Sequence, residues 1–210
     1  MVNKNAILEV VIVQINCLNN KEVAMNKSVL IGKIVENIVE YIFKASGIEI
    51  YRSGAENYSE LIRKIINGRR LEYNETLSRL FKIPDFIVVT PKKEVVFLEV
   101  KHRFNGLFHQ NEIDALFELE EIWKPHILVV SNYKYSDFGY IPNFQVMTPP
   151  YQISTDGNIL FFSKMSEIWK IDLDVLKNAK DILRRVCKNK DGYGEDEDDE
   201  NFIEIDSFRL

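Results

Sequence analysis

Asp85, Glu99 and Lys101 are the residues of this chain whose types and spacing fit a reaction. Asp85 follows Pro84, and fourteen positions later Glu99-Val100-Lys101 closes an apolar run. Two carboxylates and one ammonium, brought together by neighbouring strands, suit a divalent metal beside a phosphodiester. Hydrolysing that bond needs a water made nucleophilic, neutralised charge on the phosphoryl oxygens and a stabilised leaving oxygen. A hard cation such as Mg²⁺ (or Mn²⁺), held by one or two carboxylates with several waters retained, supplies much of this at once. Lys101 lies two residues beyond Glu99, so on a strand both side chains leave the same face. Its ammonium is then placed to orient the attacking water or to balance phosphate charge. Pro84 lacks an N–H and belongs at a strand start or edge, which leaves Asp85 at an accessible rim.

That geometry requires residues 83–89 to form a strand, Thr90 to Lys93 a turn, and residues 94–101 the hairpin partner. Upstream, a helix is expected from Asn26 or Ser28 to about Ser46, ended by Gly47, with Leu30, Ile31, Ile34, Val35, Ile38, Val39, Ile42 and Phe43 as its apolar stripe. A strand over residues 48–52 follows. Residues 54–82 read as an insertion, partly helical and carrying Arg63, Lys64, Arg69 and Arg70. Downstream come a helix from about Phe108 to Trp123, stopped by Pro125, and a buried strand over 126–131. Residues 133–150 are expected as loop, 151–171 as a hairpin turning at Asp156-Gly157-Asn158, and 172–188 as a helix with a basic face. An extra strand, or an edge for dimer pairing, is expected over 6–18. The order is αβββαβ, which predicts an α/β fold with a mixed central sheet flanked by helices.

At 210 residues the chain suits one domain, expected over 1–190, with an acidic tail over 191–210. Nine of the 32 acids lie beyond residue 190 against one base, Arg209, so the formal charge of −5 conceals a body with 26 bases and 23 acids. A weakly basic body is compatible with a nucleic-acid partner, because local patches set the contact. The tail is expected to be disordered in part. Cys17 and Cys187 match no metal spacing or disulfide framework, which points to a reducing, cytoplasmic interior. No stretch has the character of a signal peptide or a membrane span.

These motifs resemble the PD-(D/E)XK nuclease superfamily, whose restriction-endonuclease-like core is αβββαβ. Gly32-Lys33-Ile34-Val35-Glu36 is similar to the Gly-x-x-x-Glu of the first helix in archaeal Holliday junction resolvases. Arg52-Ser53 falls where those enzymes often carry Arg-Ser. The likeness spans about 28–131 and extends in size and layout to a nuclease of crenarchaeal spindle-shaped viruses. It implies an endonuclease on duplex or branched DNA that acts as a homodimer, with Asp85, Glu99 and Glu36 as metal ligands and Lys101 as the catalytic lysine. Ser53 is implied as an accessory polar group and Arg52 as a DNA contact. The long segment after Ser53 and the acidic tail are departures from the resolvase pattern.

Other candidates carry two readings each. Gln110 either faces the site from the second helix or is a surface glutamine. His102 and Arg103 either touch phosphate beside Lys101 or solvate a loop. His109 and His126 have no zinc-like spacing and read as surface or core histidines. The basic face of the last helix suits DNA or the acidic tail. Tyr133, Tyr135, Phe138 and Tyr140 suit base stacking or a dimer interface. Against the nuclease stands a catalytically weak DNA-binding or assembly protein that keeps the same fold, and, further off, a DNA mimic built on the tail.

Overall fold

The computed structural model describes residues 27–54, 75–76, 79, 82–103, 108–135, 139–152, 159–160, 162–188 and 202–205. The strand expected over 6–18, most of the insertion, the turn at 156–158 and the acidic run 191–200 lie outside the described residues. Helix α1 (Lys27–Ala45) comes first, followed by strands β1 (Glu49–Arg52), β2 (Phe86–Val89) and β3 (Val95–Arg103). A two-residue strand β4 (Phe108–His109) leads into helix α2 (Gln110–Trp123), and β5 (His126–Tyr135) and β6 (Gly139–Met147) follow. Short β7 (Ile159–Leu160) and β8 (Ser163–Lys164), helices α3 (Met165–Ile168) and α4 (Leu173–Lys188), and strand β9 (Phe202–Ile205) complete the order.

The main sheet has six strands in the order β1-β2-β3-β5-β6-β8. Strands β1, β2 and β3 form an antiparallel meander, whereas β5 lies parallel to β3. That single parallel pair requires a crossover, and α2 provides it. Odd-numbered residues of β5 such as Ile127 and Val129 pack with Ile113, Leu116 and Leu119 of α2. Even-numbered ones such as Leu128 and Val130 join the larger core under α1, α3 and α4, with Ile34, Ile38, Trp169 and Leu183. The sheet is therefore covered on both faces, as a mixed sheet with a crossover helix must be.

Local chemistry accounts for the ends of these elements. Gly47 takes φ 74° just past α1, a left-handed conformation that costs glycine little. Lys124 takes the same role after α2 at φ 47°, its N–H donating to the Glu120 carbonyl. Asp172 caps α4, its Oδ1 accepting from the N–H groups of Asp174 at 2.9 Å and Val175 at 3.2 Å, and its own N–H donates to Ser46 Oγ at 3.0 Å.

One sequence expectation is corrected. Residues 139–147 form a strand in place of loop, pairing with β5 from Ile127↔Met147 to Tyr135↔Gly139. Pro142 argued against a strand, but β8 reaches only Gln145 and Val146 of β6, so the proline sits where β6 has no outer neighbour among the described residues. The hairpin expected over 151–171 turns at residues that lie outside the described ones. Among the described residues of that span, strand β7 pairs with β9 and β8 pairs with β6. No helix among the described residues is long and apolar enough to cross a membrane.

Asp172→Ala removes the acceptor of two N–H groups at the start of α4. It is expected to cost about 1 kcal/mol, lowering the melting temperature by about 2–4 °C in a thermal denaturation series, with Asp172→Asn close to wild type.

Candidate active site

The antiparallel register brings the predicted carboxylates together. Phe86 pairs with Leu98, so one step back along the first strand and one step on along the second Asp85 falls opposite Glu99. Asp85 precedes β2, and its backbone is held in place by β1. Its carbonyl accepts from Ser53 N at 2.8 Å and Gly54 N at 3.2 Å, while Ser53 Oγ donates to the Pro84 carbonyl at 2.8 Å. Ser53 is buried and acts on the Pro84-Asp85 backbone. It is thus a positioning residue for Asp85.

The Asp85 side chain turns to β3. Its Oδ2 accepts from Val100 N at 2.8 Å, which fixes the carboxylate beside Glu99. Glu99 Oε1 in turn accepts from Lys101 Nζ at 2.6 Å, the side-chain exposures being 12% and 32%. Burial is the largest influence on Asp85 and raises its pKa from the ordinary 3.8 to about 8. The negative charges of Glu99 and Glu36 push the same way, while the Val100 N–H and the Lys101 ammonium oppose them. Two acids and one lysine have been gathered where water is scarce.

Other sequence candidates fall around this centre in different ways. Glu36 lies on α1, and its charge reaches Asp85, yet its Oε2 also accepts from Arg52 Nη1 at 3.1 Å. The same guanidinium reaches Glu40 Oε2 at 2.7 Å and Asn37 Oδ1 at 2.6 Å, and lies 5.2 Å over the Phe86 ring. Arg52 is therefore engaged within the fold, tying β1 to one face of α1. His102 leaves β3 on the opposite face from Glu99 and Lys101, by alternation. Gln110 is exposed and donates to Asp114 Oδ1 at 2.9 Å, so its surface reading holds and its site reading does not. His126 is half-buried against Trp169, 5.4 Å between rings, and burial lowers its pKa.

A cavity of about 360 Å³ opens beside the carboxylates, bounded by β3 and α2. Asp85, Glu99, Lys101 and Arg103 line one side, and Glu112, Ala115 and Glu118 of α2 another. Each lining cation has an acid: Lys82 pairs with Glu118, Lys101 with Glu99 and Arg103 with Glu112. Glu112 and Glu118 escaped the sequence reading. Glu112 carried a signal, because it stands three residues after His109 and its Oε2 accepts from His109 N at 3.1 Å, as a helix-capping glutamate does. Glu118 carried none, since its partner Lys82 is 36 residues away.

Among the described residues no group of three or more His, Cys, Asp or Glu side chains is arranged to hold a metal ion. The donors available are Asp85 and Glu99, hard oxygen ligands of the kind Mg²⁺ takes one or two at a time while keeping its waters. Asp85 is also the acid lining the cavity that has no salt bridge among the described residues. A buried carboxylate without a countercharge, beside a second carboxylate, fits a divalent cation. Compared with known proteins, the chain matches no family model and no curated sequence.

The raised pKa of Asp85 fixes a pH dependence. Its protonated form is favoured by folding, so the contribution to stability is complete below pH 3.8 and is lost as pH rises through about 8. In metal-free buffer at pH 8, Asp85→Asn is expected to melt at least about 2 °C above wild type. Millimolar Mg²⁺ should raise the wild-type melting temperature and leave that of Asp85→Asn unchanged.

Proposed function

We propose that this chain is a metal-dependent endonuclease that hydrolyses DNA phosphodiester bonds, of the PD-(D/E)XK type and resembling a Holliday junction resolvase. The observation that carries the reading is the Asp85–Glu99 register pair with Lys101 on the same strand face. The succession α1, β1, β2, β3, α2, β5, with β5 parallel to β3, supports a restriction-endonuclease-like core. Asp85 and Glu99 would hold Mg²⁺ or Mn²⁺, with Glu36 near enough to contribute charge. A bound dication neutralises phosphoryl charge and lowers the pKa of a coordinated water.

The chain's own residues do the rest. The Val100 N–H aims the Asp85 carboxyl group and partly offsets the burial that favours its neutral form. Lys101 would exchange its bond to Glu99 for one to a phosphate oxygen or to the attacking water. Arg52 keeps Glu36 oriented on α1. In this reading the protein works inside the cell on duplex or branched DNA. Paired cuts across a symmetric junction require a homodimer.

A second reading, a DNA-binding or assembly protein with little catalysis, draws on the same ion pairs. With Lys82, Lys101 and Arg103 all tied to acids, the site can persist without reacting.

Nicking of supercoiled plasmid, linear duplex and a synthetic four-way junction in Mg²⁺ separates the two. Wild type is expected to cut, with Asp85→Asn and Lys101→Ala each slower by at least about 100-fold. If wild type and both variants are equally inert, or equally active, catalysis at this site is ruled out.

A further inference from the structure

Building on the nuclease reading, we propose that the cavity between β3 and α2 receives an unpaired base of the strand being cut. Among duplex or branched substrates the protein then prefers those that present an unpaired base, at a frayed end, a gap or a branch. The argument begins with charge. A groove that tracks a duplex backbone offers cations to phosphates. Here each lining cation is already satisfied by a carboxylate of the same cavity, so the cavity gives a phosphate row little to hold.

What the cavity does offer is a flat surface beside the reaction centre. The Arg103 guanidinium lies 4.9 Å over the buried Phe108 ring. Its Nη2 pairs with Glu112, and its Nη1 donates to the His102 carbonyl at 2.8 Å. With both terminal nitrogens held and one face on Phe108, the Arg103 side chain, 23% exposed, is part of the cavity wall. A planar guanidinium backed by an aromatic ring is a stacking platform for a base, and unpaired bases are recognised on such platforms.

Position and size agree. Arg103 stands two residues beyond Lys101 on the same face of β3, about 7 Å along the strand, the reach from a phosphate to the base it carries. Ile83 and the small, exposed Ala115 leave the space open, and 360 Å³ admits one nucleoside but not a stacked base pair within a duplex. A base inside a duplex would have to leave its stack to enter, whereas one at an end, gap or branch is already free.

The test uses the full chain and an oligonucleotide carrying 2-aminopurine, single-stranded or in a matching duplex, in metal-free buffer. Quenching of 2-aminopurine and at least about tenfold tighter binding of the single strand are expected. Ala115→Phe fills the cavity from an exposed helix position and should bring single-strand affinity down to the duplex value. Arg103→Lys, which keeps the charge and loses the plane, should abolish the quenching. Equal affinity for the two forms, or an undiminished single-strand preference in Ala115→Phe, overturns the proposal. Hydrolysis of bis(p-nitrophenyl) phosphate with Mn²⁺ reports on the carboxylates alone. Turnover without single-strand preference removes the pocket only, whereas preference without turnover keeps the pocket and removes the nuclease reading.

Discussion

The hydrogen bond from Val100 N to Asp85 Oδ2 is the contact on which this site turns. It joins the end of one strand to the middle of the next and holds a buried carboxylate beside another of the same sign. Left to itself, such a pair separates or takes up a proton. It is held by main chain: Ser53 and Gly54 grip the Asp85 carbonyl from one side, and β3 grips its carboxylate from the other. Three strands of the meander thereby meet at one residue. The apolar pairs that follow, Phe86 with Leu98 and Val88 with Val96, fix the register that this meeting requires.

The two covered faces of the sheet divide the work. One face buries the stripe of α1 and the apolar side of α4 and supplies most of the core. The other carries Glu99, Lys101 and Arg103 in alternation along β3, and here α2 packs against Phe97 of β3 through Trp123 and against Ile127, Val129 and Met147 of β5 and β6. Where the neighbours along β3 are charged, the helix stands off and the cavity remains. The cavity is thus a consequence of polar residues on a face that is apolar elsewhere. Arg52 plays a matching part across the sheet, where one guanidinium satisfies Glu36, Asn37 and Glu40 and secures α1 to the edge strand.

Much of this was legible in the sequence, for identifiable reasons. Helix α1 declared itself through a long stripe at helical spacing with a glycine stop, and the hairpin through two β-branched runs flanking Pro91 and two lysines. The Asp85, Glu99 and Lys101 grouping followed from the hairpin register and the period of two. Strand β6 was illegible because Gly139 and Pro142 are loop signals, and only the end of the sheet excuses them. Gln110 kept two readings in the sequence for a different reason. A residue in the first turn of a helix can face either way, and the bond to Asp114 one turn on draws it to the surface. The pairs Lys82–Glu118 and Arg103–Glu112 join segments whose separation carries no pattern, so only the folded chain displays them.

The charge balance of the cavity carries the argument furthest. Three cations and four acids line it, and three salt bridges leave Asp85 over. A surplus acid on an open surface would be solvated and of no consequence, whereas Asp85 is buried enough that its carboxyl resists ionisation up to about pH 8. Replacing it with a neutral residue would relieve that cost, so the fold keeps a group that works against its own stability. Such a penalty is expected at a site of function, where strain and desolvation are tolerated because a ligand removes them. Asp85 and Glu99 would together balance the two charges of a dication, which would compete with Lys101 for Glu99. The carboxyl that resists ionisation and the lysine beside it are therefore two sides of one electrostatic arrangement.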